Sequence, residues 1–358
     1  MRKIRKSGLK VLLVILFLGL IGKFPLMVDA EGMDFDVRIF TPETQRRDDV
    51  PGFDLLLEPG AKEVIEIEVM NISEEPIVLI IEMATATTDD GGTIFYRPRE
   101  GLVRDNTLPY AMEDIATIEG NRFSLEGGEQ LRIPITINMP ETRFDGMILG
   151  GISILQYVDM EEASGQGGMI INRFWVEIPV RLQQTENPVL PDLELLSIGA
   201  SQRNWRNIFA ANLQNPEMML IHMMEVHAFV SRAGEAETLH EEHMSNMQVA
   251  PNSNFTLAIP LGGERFQAGE YDLHLEVVAY NGSWSFHQRF YVSAEEAAAF
   301  NATDVSISRT PLWIFIAAGG ALVAIMFVIY MVLFHRKSKK TMNKAVDDVI
   351  RQISRVNG

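Results

Sequence analysis

Along most of the chain the apolar positions alternate with polar ones and do not recur at helical spacing. The run 63–69, Glu-Val-Ile-Glu-Ile-Glu-Val, sets Glu63, Ile65, Ile67 and Val69 on one face and Val64, Glu66 and Glu68 on the other. It follows the turn Glu58-Pro59-Gly60, which predicts a half-buried strand. Similar runs come at 77–84, 93–96, 122–125, 130–138, 146–157 and 169–182. Turn chemistry separates them: Asp89-Asp90-Gly91-Gly92, Glu126-Gly127-Gly128 and Ser164-Gly165-Gln166-Gly167-Gly168. About seven strands at this spacing predict a β-sandwich.

From 183 to 191, with Asn187, Pro188 and Pro191, the alternation stops and a linker is expected. A second β series follows at 192–198, 206–214, 221–231, 254–260, 271–280 and 283–292. In Ala268-Gly269-Glu270-Tyr271 a Gly shortly precedes a Tyr that opens an alternating strand. That is the pattern of a tyrosine corner, in which the phenol hydrogen-bonds backbone a few residues upstream. The Ala-rich stretch 295–300 predicts a short helical or flexible stalk. The expected fold class is all-β: two tandem immunoglobulin-like sandwiches plus one C-terminal transmembrane helix.

The two ends have a different character. Arg2, Lys3, Arg5, Lys6 and Lys10 precede an apolar run at 11–21, and Val28-Asp29-Ala30 offers a cleavage site, so residues 1–30 are expected to be a signal peptide. Residues 312–334 carry no charge and are long enough to cross a bilayer. Basic residues, His335-Arg336-Lys337-Ser338-Lys339-Lys340, follow at once and predict a cytoplasmic tail at 335–358. The expected localisation is therefore the cell membrane, single-pass, with an extracellular ectodomain. In the tail, Ala345, Val346, Val349, Ile350 and Ile353 stand near helical spacing, compatible with lying along the inner leaflet.

Charge split by compartment sharpens this. Residues 31–309 hold 18 Lys and Arg against 45 Asp and Glu, a net of −27. Such a field disfavours nucleic acid or anionic lipid as a partner of the exported part. With no cysteine anywhere, both modules must stand on their hydrophobic cores.

Candidate chemistry is sparse. His240-Glu241-Glu242-His243 lacks zincin spacing and a third ligand, and the odd spacing of His222 and His227 sets them on opposite faces of a strand. The methionines beside them, Met218, Met219, Met223 and Met224, read as adaptable core or contact surface. Gly150-Gly151, inside a strand-like run, predicts a bulge or a close backbone approach. No nucleophile elbow or Gly-rich phosphate loop is present. A non-enzymatic protein is expected, with no cofactor and no metal.

A set of short motifs, each common alone, occurs in order over more than 250 residues. They include Phe53-Asp54-Leu55, Glu58-Pro59-Gly60, Asn71-Ile72-Ser73 and Phe144-Asp145-Gly146-Met147-Ile148-Leu149-Gly150-Gly151 in the first half. Ile171-Asn172-Arg173-Phe174, Leu213-Gln214-Asn215-Pro216, Ala250-Pro251-Asn252-Ser253-Asn254 and Gly269-Glu270-Tyr271 with Trp284 follow in the second. This series resembles the WxL-interacting proteins of low-GC Gram-positive bacteria. The family joins a peptidoglycan-binding domain to a host-binding domain and ends in a membrane helix. One departure is Thr44-Gln45, where the family tends to show Asn-Gln.

The resemblance implies a peptidoglycan-binding-like module at 35–157 and a host-binding-like module at 169–300. It implies a cell-surface scaffold whose partners are peptidoglycan, WxL-domain surface proteins and host extracellular-matrix proteins. The expected contact surface lies around Tyr96, Arg97, Phe144, Asp145, Gly146, Gly150 and Gly151. Two alternatives stand beside it: a chaperone-like assembly factor using an exposed sheet edge, and a hydrolase acting on the wall.

Overall fold

The computed structural model describes residues 32–99, 101–158, 173–307 and 312–356. The expected signal peptide at 1–30, the loop 164–168 and the motif at 171–172 lie outside the described residues.

The first module closes two sheets on one core. One sheet has the order β1-β3-β9-β7 (Phe35–Phe40, Lys62–Asn71, Gln130–Asn138, Ala116–Ile118), the other β2-β11-β10-β4-β8 (Phe53–Leu56, Trp175–Gln183, Ile148–Gln156, Ile77–Thr85, Arg122–Leu125). Alternation settles which side chains face in: Ile65, Ile67 and Val69 of β3 and Ile133, Ile135 and Ile137 of β9 are buried against Leu79, Ile81, Ile152, Ile154 and Val180 of the facing sheet. A one-residue slip would turn these apolar sets to solvent, so the pattern fixes the register. Tight turns at Gly60 and Gly128, both at positive φ, precede β3 and β9, which lie side by side.

Beyond the two sheets, the first module carries the two-stranded hairpin β5–β6 (Thr87–Thr88, Ile94–Phe95) and a single helical turn, α1 (Met112–Ile115). Strand β11, at the end of the first alternating series, pairs antiparallel with β10 and parallel with β2. Its Ile178, Val180 and Leu182 complete the first core.

The second module stacks β12-β13-β16 (Glu194–Arg203, Arg206–Asn215, Ser253–Pro260) on β15-β14-β17-β18 (Thr238–Val249, Ile221–Arg232, Gly269–Ala279, Gly282–Val292). Phe209 sits at the centre of its core, with Phe266, Tyr271 and Phe290 rings 5.1–5.3 Å away. The tyrosine corner is present: the Tyr271 hydroxyl donates to the Gln267 carbonyl at 2.6 Å.

Two expectations change. The Ala-rich segment is a helix, α2 (Ala294–Thr303), but it is no free stalk. A capping box between Ser293 and Glu296 starts it, Ala297 is buried, and Phe300 packs on Phe266 at 5.8 Å, which docks it on the second module. The C-terminal helix α3 (Leu312–Val356) runs unbroken into the tail, so the described tail continues the apolar helix along its axis. Within it, Ile316–Lys340 is long and apolar enough to cross a membrane, and none of that surface is buried.

Candidate functional site

The modules meet at a ladder of specific contacts. Hairpin β5–β6 and the loop after it reach from the first module onto β15 and β16 of the second. The Gln248 N–H donates to the Gly92 carbonyl at 2.7 Å, and the Met147 N–H donates to the Met218 carbonyl at 2.7 Å. Thr88 Oγ1 accepts from the Ala250 N–H at 2.9 Å and lies 2.8 Å from Ser253 Oγ, all buried. Ala86, Leu149 and Ala250 form a small apolar cluster between the modules, backed by Ile94, Tyr96 and Leu220. This explains why β10 is buried on both faces over most of its length: one side meets the first core and the other is roofed by the hairpin and the second module.

Asp105 is the charged centre of this junction. Its carboxylate accepts from Gln214 Nε2 at 2.8 and 2.9 Å and from Asn254 Nδ2 at 2.7 Å, both on the second module. Thr107 donates through N–H and hydroxyl at 2.9 and 2.7 Å. Partial burial pushes this carboxyl up, and the donors from Gln214, Asn254 and Thr107 outweigh it, so Asp105 titrates below the ordinary aspartate range. Asn252, held at φ 48°, donates to the Thr107 carbonyl at 3.0 Å and the Pro216 carbonyl at 2.7 Å.

The seven residues singled out from the sequence divide between this junction and the core. Tyr96 and Arg97 close the hairpin over β11: the Tyr96 N–H and the Arg97 guanidinium both donate to the Glu177 carboxylate, at 2.6 and 2.9 Å. The Arg97 guanidinium also lies 4.2 Å over the Phe95 ring and 5.0 Å from the Trp175 ring. Burial pushes the Tyr96 phenol up. Gly151 lies beneath Tyr96; a Cβ there would meet Tyr96 Cβ at 2.5 Å and the Ile178 carbonyl oxygen at 2.7 Å. Gly150 faces inward, where a Cβ would meet the Ala84 carbonyl oxygen at 2.5 Å and Met112 Cβ at 2.6 Å. The glycine pair thus marks close approach on both faces, with regular pairing to β4 and β11 and no bulge.

Phe144, Asp145 and Gly146 form a second group at the linker. The Phe144 N–H donates to Gln184 Oε1 at 3.0 Å, and its ring packs against Tyr110 at 5.6 Å. Asp145 accepts from Thr185 Oγ1 at 2.5 Å and Asn187 Nδ2 at 3.0 Å, which hold its carboxyl below the usual range. Gly146, at φ 93°, passes so close to the second module that a Cβ would meet the Met218 carbonyl oxygen at 2.5 Å. Of the seven, Arg97 reaches the accessible space at the junction.

That space is a cleft of about 260 Å³ between β4, the 97–108 loop and the 252–254 turn of the second module. Arg97, Arg99 and Arg104 lie along it with Glu113, Asp105 and Asn254, over a floor that includes Ala84 and Leu108. Of the three guanidinium groups, Arg97 is engaged by Glu177 and Arg104 by Glu113 and Asp114, so the cleft is a mixed-charge, polar space with Arg99 as its cation outside those ion pairs. Arg104 is itself paired with Glu113 and Asp114 at 2.9 Å, and at 84% exposure Val103 presents an apolar lip.

Two family profiles match the chain: the WxL Interacting Protein peptidoglycan binding domain over residues 35–156 and the WxL Interacting Protein host binding domain over residues 165–302. The chain belongs to the WxL Interacting Protein family. Its first module carries the peptidoglycan-binding domain of that family and its second the host-binding domain, both of them binding domains of a surface protein. The WxL Interacting Protein host-binding profile begins at 165 and so includes β11, whose hydrogen bonds belong to the first sandwich. One strand of the host-binding profile thus completes the sheet of the preceding domain.

No curated protein matches the chain. Among solved structures, it is similar to the chaperone-tip adhesin complex of CFA/I fimbriae biogenesis (11% identity, covering 72% of this chain and 98% of that chain, TM-score 0.29). It is also similar to the YadV chaperone (10%, 72% and 100%, TM-score 0.29) and a PapD-like domain of human CEP192 (14%, 45% and 95%, TM-score 0.27). Scores this low carry no weight for function.

Sequence reasoning missed Asp105 and quoted Asn252 and Asn254 only within a family motif, not as site residues. Their signal was present as Asp105-Asn106-Thr107 and Asn252-Ser253-Asn254, two polar turns, but nothing in the chain order says that turns 145 residues apart meet.

Proposed function

We propose that the chain is a membrane-anchored surface scaffold that grips peptidoglycan at the junction cleft and presents its second module to WxL-domain surface proteins and host extracellular matrix. What supports this reading is the tandem of a peptidoglycan-binding and a host-binding domain, joined through Asp105 and the β5–β6 hairpin, ahead of an apolar helix with no buried surface. Arg99 pairs with carboxylates of the wall's peptide stems, beside Arg97 and Arg104, which exchange with their own Glu177, Glu113 and Asp114 partners, while Tyr96, Gly150 and Gly151 keep the hairpin seated. Phe144, Asp145 and Gly146 hold the linker. The helix crosses the membrane with the tail inside, because basic residues follow its apolar part directly.

Co-sedimentation of the full-length chain in detergent with purified peptidoglycan tests it, with and without a WxL-domain protein. Saturable binding to bare wall, weakened about tenfold or more by replacing both Arg97 and Arg99 with Ala, is expected. Binding only when the WxL protein is added would move the wall contact to that partner, and binding to neither overturns the reading.

A further inference from the structure

The outer face of the four-stranded sheet β15-β14-β17-β18 gathers four of the chain's seven histidines. His227 of β14 lies directly across from His243 of β15, and His274 of β17 across from His287 of β18. Each pair stacks, with ring centroids 4.0 and 4.1 Å apart. All four side chains are exposed. The spacing that argues against metal ligation within one strand says nothing of ligands on neighbouring strands, which the sheet brings together.

One of these pairs is completed by a carboxylate. Glu225, two residues before His227, lies on the same exposed face, and one ligand atom from each of Glu225, His227 and His243 falls within 4.8 Å of the others. Ligands around a tetrahedral zinc stand about 3.3 Å apart, given bonds of about 2.0–2.1 Å. Side-chain rotation on an open sheet surface spans the difference. Glu276 pairs with His227 from the other neighbouring strand, β17, and adds negative charge beside the cluster.

We infer that Glu225, His227 and His243 form a binding site for a divalent transition-metal ion of the zinc class. Two imidazole nitrogens and one carboxylate select zinc, nickel or copper over calcium and magnesium, which take oxygen ligands. Three protein ligands leave a position open to water or to a donor from another molecule docked on this sheet. Because β15 is the sheet's edge, that position is reachable from outside. Neither the wall cleft nor the membrane helix takes part in this site.

The test is zinc titration of the full-length protein in detergent, purified without a polyhistidine tag, against a competing fluorescent chelator. One equivalent is expected to bind, and cobalt in its place should give the intense visible bands of a four-coordinate centre. His243→Ala and Glu225→Gln should each weaken binding by at least about tenfold, since outer-shell changes alone can do so. His274→Ala should leave it unchanged. Unaltered circular dichroism in each variant keeps loss of fold apart from loss of a ligand. Absence of stoichiometric binding, or binding that survives His243→Ala, overturns the assignment.

Discussion

At the scale of single residues, Gly151 shows how little freedom the centre of the first module has. Adding one methyl there places it 2.5 Å from Tyr96 Cβ, and a packed interior answers such crowding with shifted side chains and backbone. Gly151→Ala should therefore lower stability by about 1–3 kcal/mol in urea unfolding followed by tryptophan fluorescence. Gly199→Ala, with open space around the new methyl, should leave the midpoint unmoved. Asp272 makes a different prediction. Hydrogen bonds from Arg289, at 2.8 and 3.0 Å, and from the Gly234 N–H hold its carboxyl at about 2 against an ordinary 3.8. A carboxyl lowered by folding stabilises the native state fully above its unfolded value, and that contribution is lost as pH falls through the native value. The melting temperature of the wild-type protein should drop between pH 4 and pH 2. Asp272→Asn should melt lower at pH 6, and the two curves should converge near pH 2.

At the scale of elements, the strands were legible wherever one face is buried and the other wet. The alternation in β3, β9 and β17 marks their inward residues, and the tyrosine corner follows from Gly269 and Tyr271 alone. Less legible were β1, β2 and β15. Strand β2 buries Asp54 beside Arg46 and Arg181, at 3.1 and 3.3 Å, so a charge sits where the pattern expects an apolar residue. Strand β15 is an edge with exposed polar side chains on half its positions, so periodicity offers little contrast. The candidate site was half legible: the motifs around Arg97 and Asp145 point to the junction, but their partners on the second module are set by tertiary contact. Asp105 tests that junction. Asp105→Ala leaves Gln214 and Asn254 donors without their shared acceptor, and limited proteolysis of the full-length protein should cut faster within 184–191 than in wild type.

For the whole molecule, the absence of cysteine is an experimental asset. Ser124→Cys, exposed on the first module, should react with an impermeant maleimide on intact cells, and Ser338→Cys, within the basic run, should react only after lysis. Labelling of Ser338→Cys from outside would reverse the topology. The C-terminal helix is long for a membrane span: 45 residues at about 1.5 Å each give a rod of roughly 68 Å, more than twice the hydrocarbon thickness. Strand β11 is where the first module hands the chain on to the second, and it is held on one side by β2 and on the other by β10. On the proposed anchoring, a pull between wall and membrane would reach the first module at the Gln183 end of that strand and run along its axis. Hydrogen bonds on both flanks then lie across the pull and are sheared together instead of being unzipped in turn. Loaded that way, the first module would be expected to hold against stretching better than a module peeled open strand by strand.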